Sequence, residues 1–290
     1  MSTSTTGERY AFIDLLKVIL TVGIVARHAS LVDLAGRSGA FDLFTRVVVA
    51  LTEVCVPLFF VLSGFLYFRN VPERPDAGYF WDKTRKRVTS LLVLYLIANV
   101  LAFACYWLAH RVAPGMLSDF FGDKWTDPLF IFWTGPVNLS LWFIRDLIVA
   151  CLVAPLIYLF VRYTRIWGVL ALAAVWFFVG KSPLYNLWFT LGAWAAVCQR
   201  ERAGQLLERW RGNVPADAAA WCFFIYLYHY IPVISFKKIL GMLFAPQGFF
   251  GLTATWLATA LLTLGTVTAL YIVLKKYAPR VTGVLVGGKL

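Results

Sequence analysis

A long apolar stretch near the start of the sequence carries ionisable side chains that could do chemistry together. It runs from residue 10 to residue 34, YAFIDLLKVILTVGIVARHASLVDL, and contains Asp14, Lys17, Arg27 and His28. On a helix, Lys17 and His28 fall on one face, about 16.5 Å apart along the axis. An imidazole exchanges its proton near neutral pH, and an ammonium group attracts anions. The stretch therefore predicts a polar stripe that combines a general base with an anion-binding group.

The composition predicts that this stripe lies inside a membrane. The chain has 290 residues, of which 60% are hydrophobic, and its mean hydropathy is +0.73. A membrane-spanning helix needs about 20 apolar residues, and ionisable groups within one usually serve function. We expect an all-α fold, a polytopic integral membrane bundle of about eight transmembrane helices. The expected spans are 10–34, 47–68, 88–109, 141–161, 166–180, 184–199, 217–235 and 251–274.

The same pattern predicts one transmembrane domain over 10–280. Residues 1–9 are polar and rich in Ser and Thr, which favours a disordered cytoplasmic N-terminus, and 281–290 form a cytoplasmic tail. The net charge is +12, but the basic residues cluster in loops between spans rather than in one patch. Positive loops mark the cytoplasmic side, so we expect a plasma or inner membrane protein with both termini inside and no nucleic-acid partner. The five cysteines have no metal-ligand spacing, so no metal is expected.

Further motifs lie along the chain. VPLFFVLSGFLYF, residues 56–68, contains Phe60, Ser63 and Gly64 and follows Glu53. The basic segment KTRKR, residues 83–87, supplies Arg85 and Arg87. LWFIRDLI, residues 141–148, supplies Trp142 and Arg145, and FFIYLYH, residues 223–229, ends in His229.

These motifs, taken in this order, resemble those of the membrane acyltransferase-3 family. The resemblance begins with the Asp14 and Lys17 pair followed by His28, continues with Phe60-x-x-Ser63-Gly64, and extends over nearly the whole chain. It implies an integral membrane O-acyltransferase. The donor would be cytosolic acetyl-CoA or another acyl-CoA, and the acceptor a hydroxyl of an envelope glycan or a lipid-linked sugar, with the lipid bilayer around the bundle.

The resemblance and the depth of each residue in its span together suggest roles. His28 would act as the base, and Arg145 or the Trp142 indole would stabilise the oxyanion. The donor would be bound by Lys17, Ser63, Arg85 and Arg87. Substrate-binding or supporting roles would fall to Asp14, Glu53, Phe60 and His229.

Plainer interpretations stay open at each position. Ser63 and Gly64 could form a close helix contact, Arg145 could pair with Glu53, and Arg27 could pair with Asp146. The basic segment could be only a topology signal, and the aromatic and acidic loop 110–140 either a sugar site or an interfacial belt. At the level of function, a transporter or flippase, or a non-catalytic membrane scaffold derived from the family, remains an alternative.

Overall fold

The computed structural model describes residues 10–31, 39–112, 127, 129–180, 186–208 and 212–288. These residues form α-helices with short irregular segments, and no strand occurs among them. The helices are α1 Ala11–Ala29, α2 Gly39–Glu53, α3 Cys55–Phe68, α4 Ala77–Val112, α5 Trp142–Leu152, α6 Ala154–Val179, α7 Leu187–Cys198, α8 Arg200–Glu208, α9 Ala218–Tyr228, α10 Tyr230–Phe244, α11 Gly248–Tyr277 and α12 Pro279–Leu285.

The expected all-α polytopic membrane fold is confirmed, but the count of about eight spans is not. Within the described ranges, four segments are long and apolar enough to cross a bilayer, namely Gly39–Phe68, Ala77–Val112, Ala154–Val179 and Gly248–Tyr277. The count becomes five if α9 and α10, which bend by 57° at their junction, form one broken span. Helix α1 is apolar but carries Asp14, Lys17 and Arg27 within 19 residues.

Three of the expected spans have wrong boundaries. Helices α2 and α3 form one segment that begins at Gly39, earlier than the expected residue 47, with a break at Val54. Pro57 lies in the first turn of α3, where a missing N–H removes no helical hydrogen bond. The expected spans 141–161 and 166–180 are instead α5 and the long α6, which is kinked at Arg165 (φ 54°, ψ −135°).

Helix α1 is the element around which the bundle packs. It contacts α2, α3, α8, α9, α10 and α11. Ile13, Leu20, Ile24 and Val25 of α1 are buried. The polar stripe predicted from its sequence is therefore enclosed by protein on several sides.

An irregular segment precedes α5 and is buried in the bundle. Residues Phe130–Thr134 form one π-helical turn and Leu139–Leu141 one 3₁₀ turn. Non-helical backbone is tolerated at membrane depth only where its polar groups have partners. Here the side chains of Tyr95 and Asn99 on α4 donate hydrogen bonds to the carbonyls of Phe132 (2.7 Å) and Ile131 (3.0 Å). The segment is thereby fixed to α4.

At the other end of the chain, the expected boundary at residue 280 falls inside helix α12. Thr282 and Val286 are buried, and α12 contacts α4 and α11. Residues 1–9, 289 and 290, and with them the expected disordered N-terminus, lie outside the described residues.

Candidate active site

A cavity of about 510 Å³ opens between α1, α3, α4, α5 and α9, and we call it cavity A. Its polar lining comes from Lys17, Ser63, Lys83, Lys86, Arg87 and Ser90. Its apolar lining comes from Phe59, Leu62, Leu66, Tyr67, Phe143, Ile144, Leu147, Ala219, Cys222, Phe223 and Tyr226. Four cationic side chains next to a mostly apolar wall can hold an anionic head and a flexible apolar arm.

Two of the four cations of cavity A, Lys17 and Lys83, are held by neighbouring side chains. Asp14 is only 5% exposed, and its carboxylate accepts a hydrogen bond from Lys17 Nζ at 2.9 Å. Because Asp14 lies one helical turn before Lys17, this ion pair fixes the ammonium group on the α1 face that meets the cavity. Lys83 Nζ donates to the Tyr79 hydroxyl at 2.8 Å and lies 5.1 Å from the centroid of the Tyr67 ring.

Ser63 and Gly64 have different environments, which separates the two interpretations of their motif. Gly64 faces the backbone of Phe189 on α7, and a β-carbon there would collide with the Phe189 carbonyl oxygen. Gly192 on α7 lies in the same way against Val61. The two glycines allow α3 and α7 to pack backbone to backbone, whereas Ser63 faces cavity A.

His28 lies at the opposite end of α1 from the cations and adjoins His229. The two imidazole centroids are 5.2 Å apart, and the Tyr230 ring packs edge-on to His28 at 5.7 Å. His28 is half-buried, whereas His229 is fully buried at the junction of α9 and α10.

The hydrogen bonds of His229 fix its tautomer. Its Nδ1 lies 3.0 Å from the carbonyl oxygens of both Ile225 and Tyr226. Carbonyl oxygens only accept, so Nδ1 carries the proton and Nε2 presents a lone pair. The Nε2 atom is buried and has no hydrogen-bond partner. A buried acceptor without a partner, beside a second imidazole, is available to accept an N–H or a proton.

Tyr226 connects the two ends of the site. Its ring lines cavity A, packs on Phe143 at 5.5 Å and lies 6.3 Å from the His229 ring. Its hydroxyl donates to the carbonyl of Ser140, and Ser140 Oγ donates to Asn138 Oδ1 at 2.5 Å. Asn138 Nδ2 in turn donates to the Leu227 carbonyl at 2.8 Å. This buried network ties α9, whose last residue immediately precedes His229, to the irregular segment.

Sequence reasoning missed Tyr226, Asn138 and Asn99. A tyrosine or an asparagine in an apolar run carries no spacing that distinguishes it from a packing residue. The available signal was polarity, because Asn99 and Asn138 are amides placed among apolar residues and need partners when buried.

Arg145 does not pair as the sequence suggested. Its Nε donates to Asp146 at 3.0 Å, and its Nη1 donates to the carbonyls of Trp133 (3.1 Å) and Thr134 (3.2 Å). The suggested pairs of Arg145 with Glu53 and Arg27 with Asp146 are therefore wrong. Arg145 instead pairs with its sequence neighbour Asp146 and reaches the irregular segment. Residue spacing within one helix does not indicate either contact. The contacts of Arg145 position that segment, and its oxyanion role stays a prediction.

Other candidate residues are not assembled into cavity A. Phe60 is 3% exposed and packs on Phe143 at 4.5 Å between ring centroids. Trp142 is 40% exposed at the start of α5. Glu53 and Arg85 are exposed, and Arg85 lies outside the cavity lining. In the loop 110–140, Asp119, Asp123 and Trp125 lie outside the described residues.

No cluster of three or more His, Cys, Asp or Glu side chains placed to hold a metal ion occurs in the described ranges. The residues assembled here are suited to binding an anionic, partly apolar molecule and to moving a proton.

The fold makes the chain a multi-pass helical membrane protein, and the comparison with protein families narrows the class. The model of the acyltransferase-3 family, described as an acyltransferase domain, matches residues 10–198. The chain belongs to this family and is a membrane acyltransferase. The match includes α1 with Lys17 and His28, the Ser63-Gly64 motif and Arg145.

A curated relative supports the same membership. The chain is 28% identical over 271 residues to the Succinoglycan biosynthesis protein ExoH of Rhizobium meliloti (strain 1021). The alignment covers 87% of this chain and 71% of that protein. No solved structure matches.

Proposed function

We propose that this protein transfers an acetyl group from cytosolic acetyl-CoA to a hydroxyl of an envelope glycan or a lipid-linked sugar. The observation that carries the proposal is the arrangement along α1. Lys17, held by Asp14, lies in cavity A with three further cations, and His28 lies at the other end beside His229. The acyltransferase family supplies the reaction class, and the relative's role in succinoglycan biosynthesis favours a glycan acceptor.

In this proposal the donor enters cavity A from the cytoplasm. Lys83, Lys86 and Arg87 bind its phosphates by charge-assisted hydrogen bonds. The apolar wall of Phe59, Leu62 and Phe143 accommodates the pantetheine arm, which extends past Tyr226 towards the histidine pair. The bilayer orientation that this requires, with the cavity cations inside, follows the positive-inside rule.

The transfer step uses His28 as the general base. His28 takes the proton of the acceptor hydroxyl as that oxygen attacks the thioester carbonyl carbon. The tetrahedral intermediate then expels the thiolate of CoA as the C–S bond breaks, and His28 returns the proton to that sulfur. The products are the glycan ester and free CoA. In this step the lone pair of His229 Nε2 accepts the N–H of His28, which orients the catalytic nitrogen.

Mass spectrometry of envelope glycans tests this function in cells. Cells with the wild-type protein should contain an ester of +42 mass units, the mass of an added acetyl group, that is absent without the protein and absent with His28→Gln. Identical glycans in all three strains would contradict the proposal. An ester of a different mass would support the acyltransferase activity but would show that the transferred acyl group is not acetyl.

A topology reporter tests the orientation separately. A reporter that is active only in the cytoplasm should be active when fused after residue 288 and inactive within residues 113–126. The reverse pattern would place cavity A on the outer side and exclude a cytosolic donor.

A further inference from the structure

A second cavity, which we call cavity B, lies beside α6 and the junction of α7 with α8. Its volume is about 650 Å³. Three arginines line it, Arg162, Arg165 and Arg200, together with the acidic residues Glu73 and Glu201. Trp194 and Tyr158 add aromatic surface. Guanidinium groups, aromatic rings and carboxylates are the side chains that bind phosphate, a purine ring and an exocyclic amine, respectively.

Two of the arginines are held by neutral acceptors, so their charge stays available. Arg162 Nη1 donates to the Glu73 carbonyl and the Tyr158 hydroxyl, each at 2.6 Å. Arg200 Nη2 donates to the Val71 carbonyl at 2.6 Å. Among the described residues, no carboxylate forms an ion pair with Arg162, Arg165 or Arg200. A fixed guanidinium without a carboxylate partner is preorganised for an anion.

The third arginine has an unusual backbone. Arg165 has φ 54°, one of two non-glycine residues with positive φ in the described part of the chain. This conformation interrupts α6 and is unfavourable for a side chain other than glycine. A glycine would adopt this conformation more easily. The backbone conformation therefore does not explain why position 165 is an arginine.

Cavity B adjoins the cationic end of cavity A. Lys83 of cavity A binds the Tyr79 hydroxyl at 2.8 Å, and that hydroxyl donates to the Asn70 carbonyl at 3.0 Å. Asn70 precedes Val71, which lines cavity B and accepts the hydrogen bond from Arg200. The two cavities are thus connected through Tyr79, Asn70 and Val71.

We propose that cavity B binds a phosphate group, and that this group is the 3′-phosphate of the adenosine end of the acyl-CoA donor. The inference rests on the proposed function. Trp194, which is only partly buried, favours a nucleotide over a lipid headgroup as the source of the phosphate, because a headgroup presents no flat ring for the indole to stack on. The Tyr158 ring is buried against Phe80 and instead holds Arg162. Cavity A would then hold the pantetheine arm and the diphosphate, while cavity B recognises the adenosine with its 3′-phosphate.

Binding measurements with the purified full chain in nanodiscs of neutral phosphatidylcholine test this assignment. The ligands are adenosine 3′,5′-bisphosphate, acetyl-CoA and acetyl-dephospho-CoA, which lacks the 3′-phosphate. The wild type should prefer acetyl-CoA to acetyl-dephospho-CoA. Arg165→Gly removes the cation and keeps a residue that accepts the positive φ. It should weaken adenosine 3′,5′-bisphosphate binding about 10- to 100-fold and remove the preference.

Arg202→Met is the matched control, because Arg202 is exposed on α8 and lies outside the cavity B lining. It should leave the affinity for adenosine 3′,5′-bisphosphate and the preference for acetyl-CoA unchanged. Arg165→Gly should not lower the thermal unfolding temperature, because glycine accepts the positive φ. An unchanged preference in Arg165→Gly overturns the inference. A wild type that binds both acetylated ligands equally well also overturns it and leaves the proposed function standing, whereas no acetyl-CoA binding at all defeats both.

A further experiment with anionic lipid distinguishes the two possible sources of the phosphate, the nucleotide and a lipid headgroup. Nanodiscs in which phosphatidylglycerol replaces part of the phosphatidylcholine should bind adenosine 3′,5′-bisphosphate as before. If the anionic lipid instead raises the unfolding temperature of the wild type but not of Arg165→Gly, with nucleotide binding equal in both, the occupant is a lipid headgroup and the assignment to the donor is wrong.

Discussion

The rings of His28 and His229 face each other across the α1–α9 contact with their centroids 5.2 Å apart. The Nδ1–H group of His229 donates to the carbonyls of Ile225 and Tyr226 in the preceding turn. The Nε2 lone pair is therefore buried and has no hydrogen-bond partner. The half-buried ring at the end of α1 is the one that an acceptor can approach. In the proposed mechanism His28 is therefore the base, and His229 orients that base.

His229→Asn separates these two roles. An asparagine amide can still donate to the carbonyls of Ile225 and Tyr226, but it has no group that replaces Nε2. We expect acetyl transfer to fall, and by less than the loss of about 10²–10⁴-fold typical of removing a general base. The pH at which the transfer rate is half-maximal should also differ from that of the wild type. Equal rates and equal pH profiles would leave His229 with a packing role only.

Lys17 should govern donor binding rather than the chemical step. Lys17→Met removes the charge that Asp14 holds at cavity A, and we expect acetyl-CoA to bind at least tenfold more weakly, which corresponds to about 1.4 kcal/mol. Lys17→Arg should weaken binding less because the charge persists. Lys276→Met, on exposed Lys276 at the end of α11, is the control. A dissociation constant that Lys17→Met leaves unchanged would place the donor elsewhere.

Gly64 should matter for stability through its contact with α7. A methyl group at Gly64 would collide with the Phe189 carbonyl, so Gly64→Ala should destabilise the protein by about 1–3 kcal/mol. Gly241 in α10 has nothing within 4 Å of an added β-carbon, so Gly241→Ala should be neutral or slightly stabilising. Thermal unfolding in detergent compares the two, and an equal unfolding temperature for both variants would refute the close α3–α7 contact.

Asp217 gives the fold a pH dependence outside the membrane spans. Lys275 Nζ donates to its carboxylate at 2.5 Å, and this hydrogen bond lowers the pKa of Asp217. A lowered carboxyl pKa contributes stability above the unfolded value of about 3.9, and this contribution is lost as the pH falls through the lower folded value. The wild type should therefore unfold at a higher temperature than Asp217→Asn at pH 7, by a small margin because the pair is partly exposed.

That margin should begin to shrink as the pH falls below about 4 and should disappear once the pH passes the lower folded pKa of Asp217, where the folded carboxylate takes up its proton. Because Asp217 immediately precedes α9, the pair ties the start of the helix that leads to His229 to the end of α11. A margin that grows on acidification would have the wrong sign for a carboxylate stabilised in its charged form.

The sequence was sufficient to predict the helical membrane fold, the polar stripe on α1 and the grouping of Lys17, Ser63 and Arg87 at one depth. Each of these depends on hydropathy or on positions within one helix, which periodicity determines. It was insufficient for the partner of Arg145 and for the buried network through Asn138 and Tyr226, because these depend on how the irregular segment folds back against α4 and α9. The kink at Arg165 could not be predicted, because no proline or glycine occupies that position.

The most direct test of the account is acetyl transfer by the reconstituted protein, measured with radiolabelled acetyl-CoA and a glycan or lipid-linked sugar acceptor. His28→Gln should lower the transfer rate about 10²–10⁴-fold while acetyl-CoA binding and the unfolding temperature stay at their wild-type values. If His28→Gln transfers acetyl groups at a near-normal rate, His28 is not the base and the mechanism proposed here is wrong.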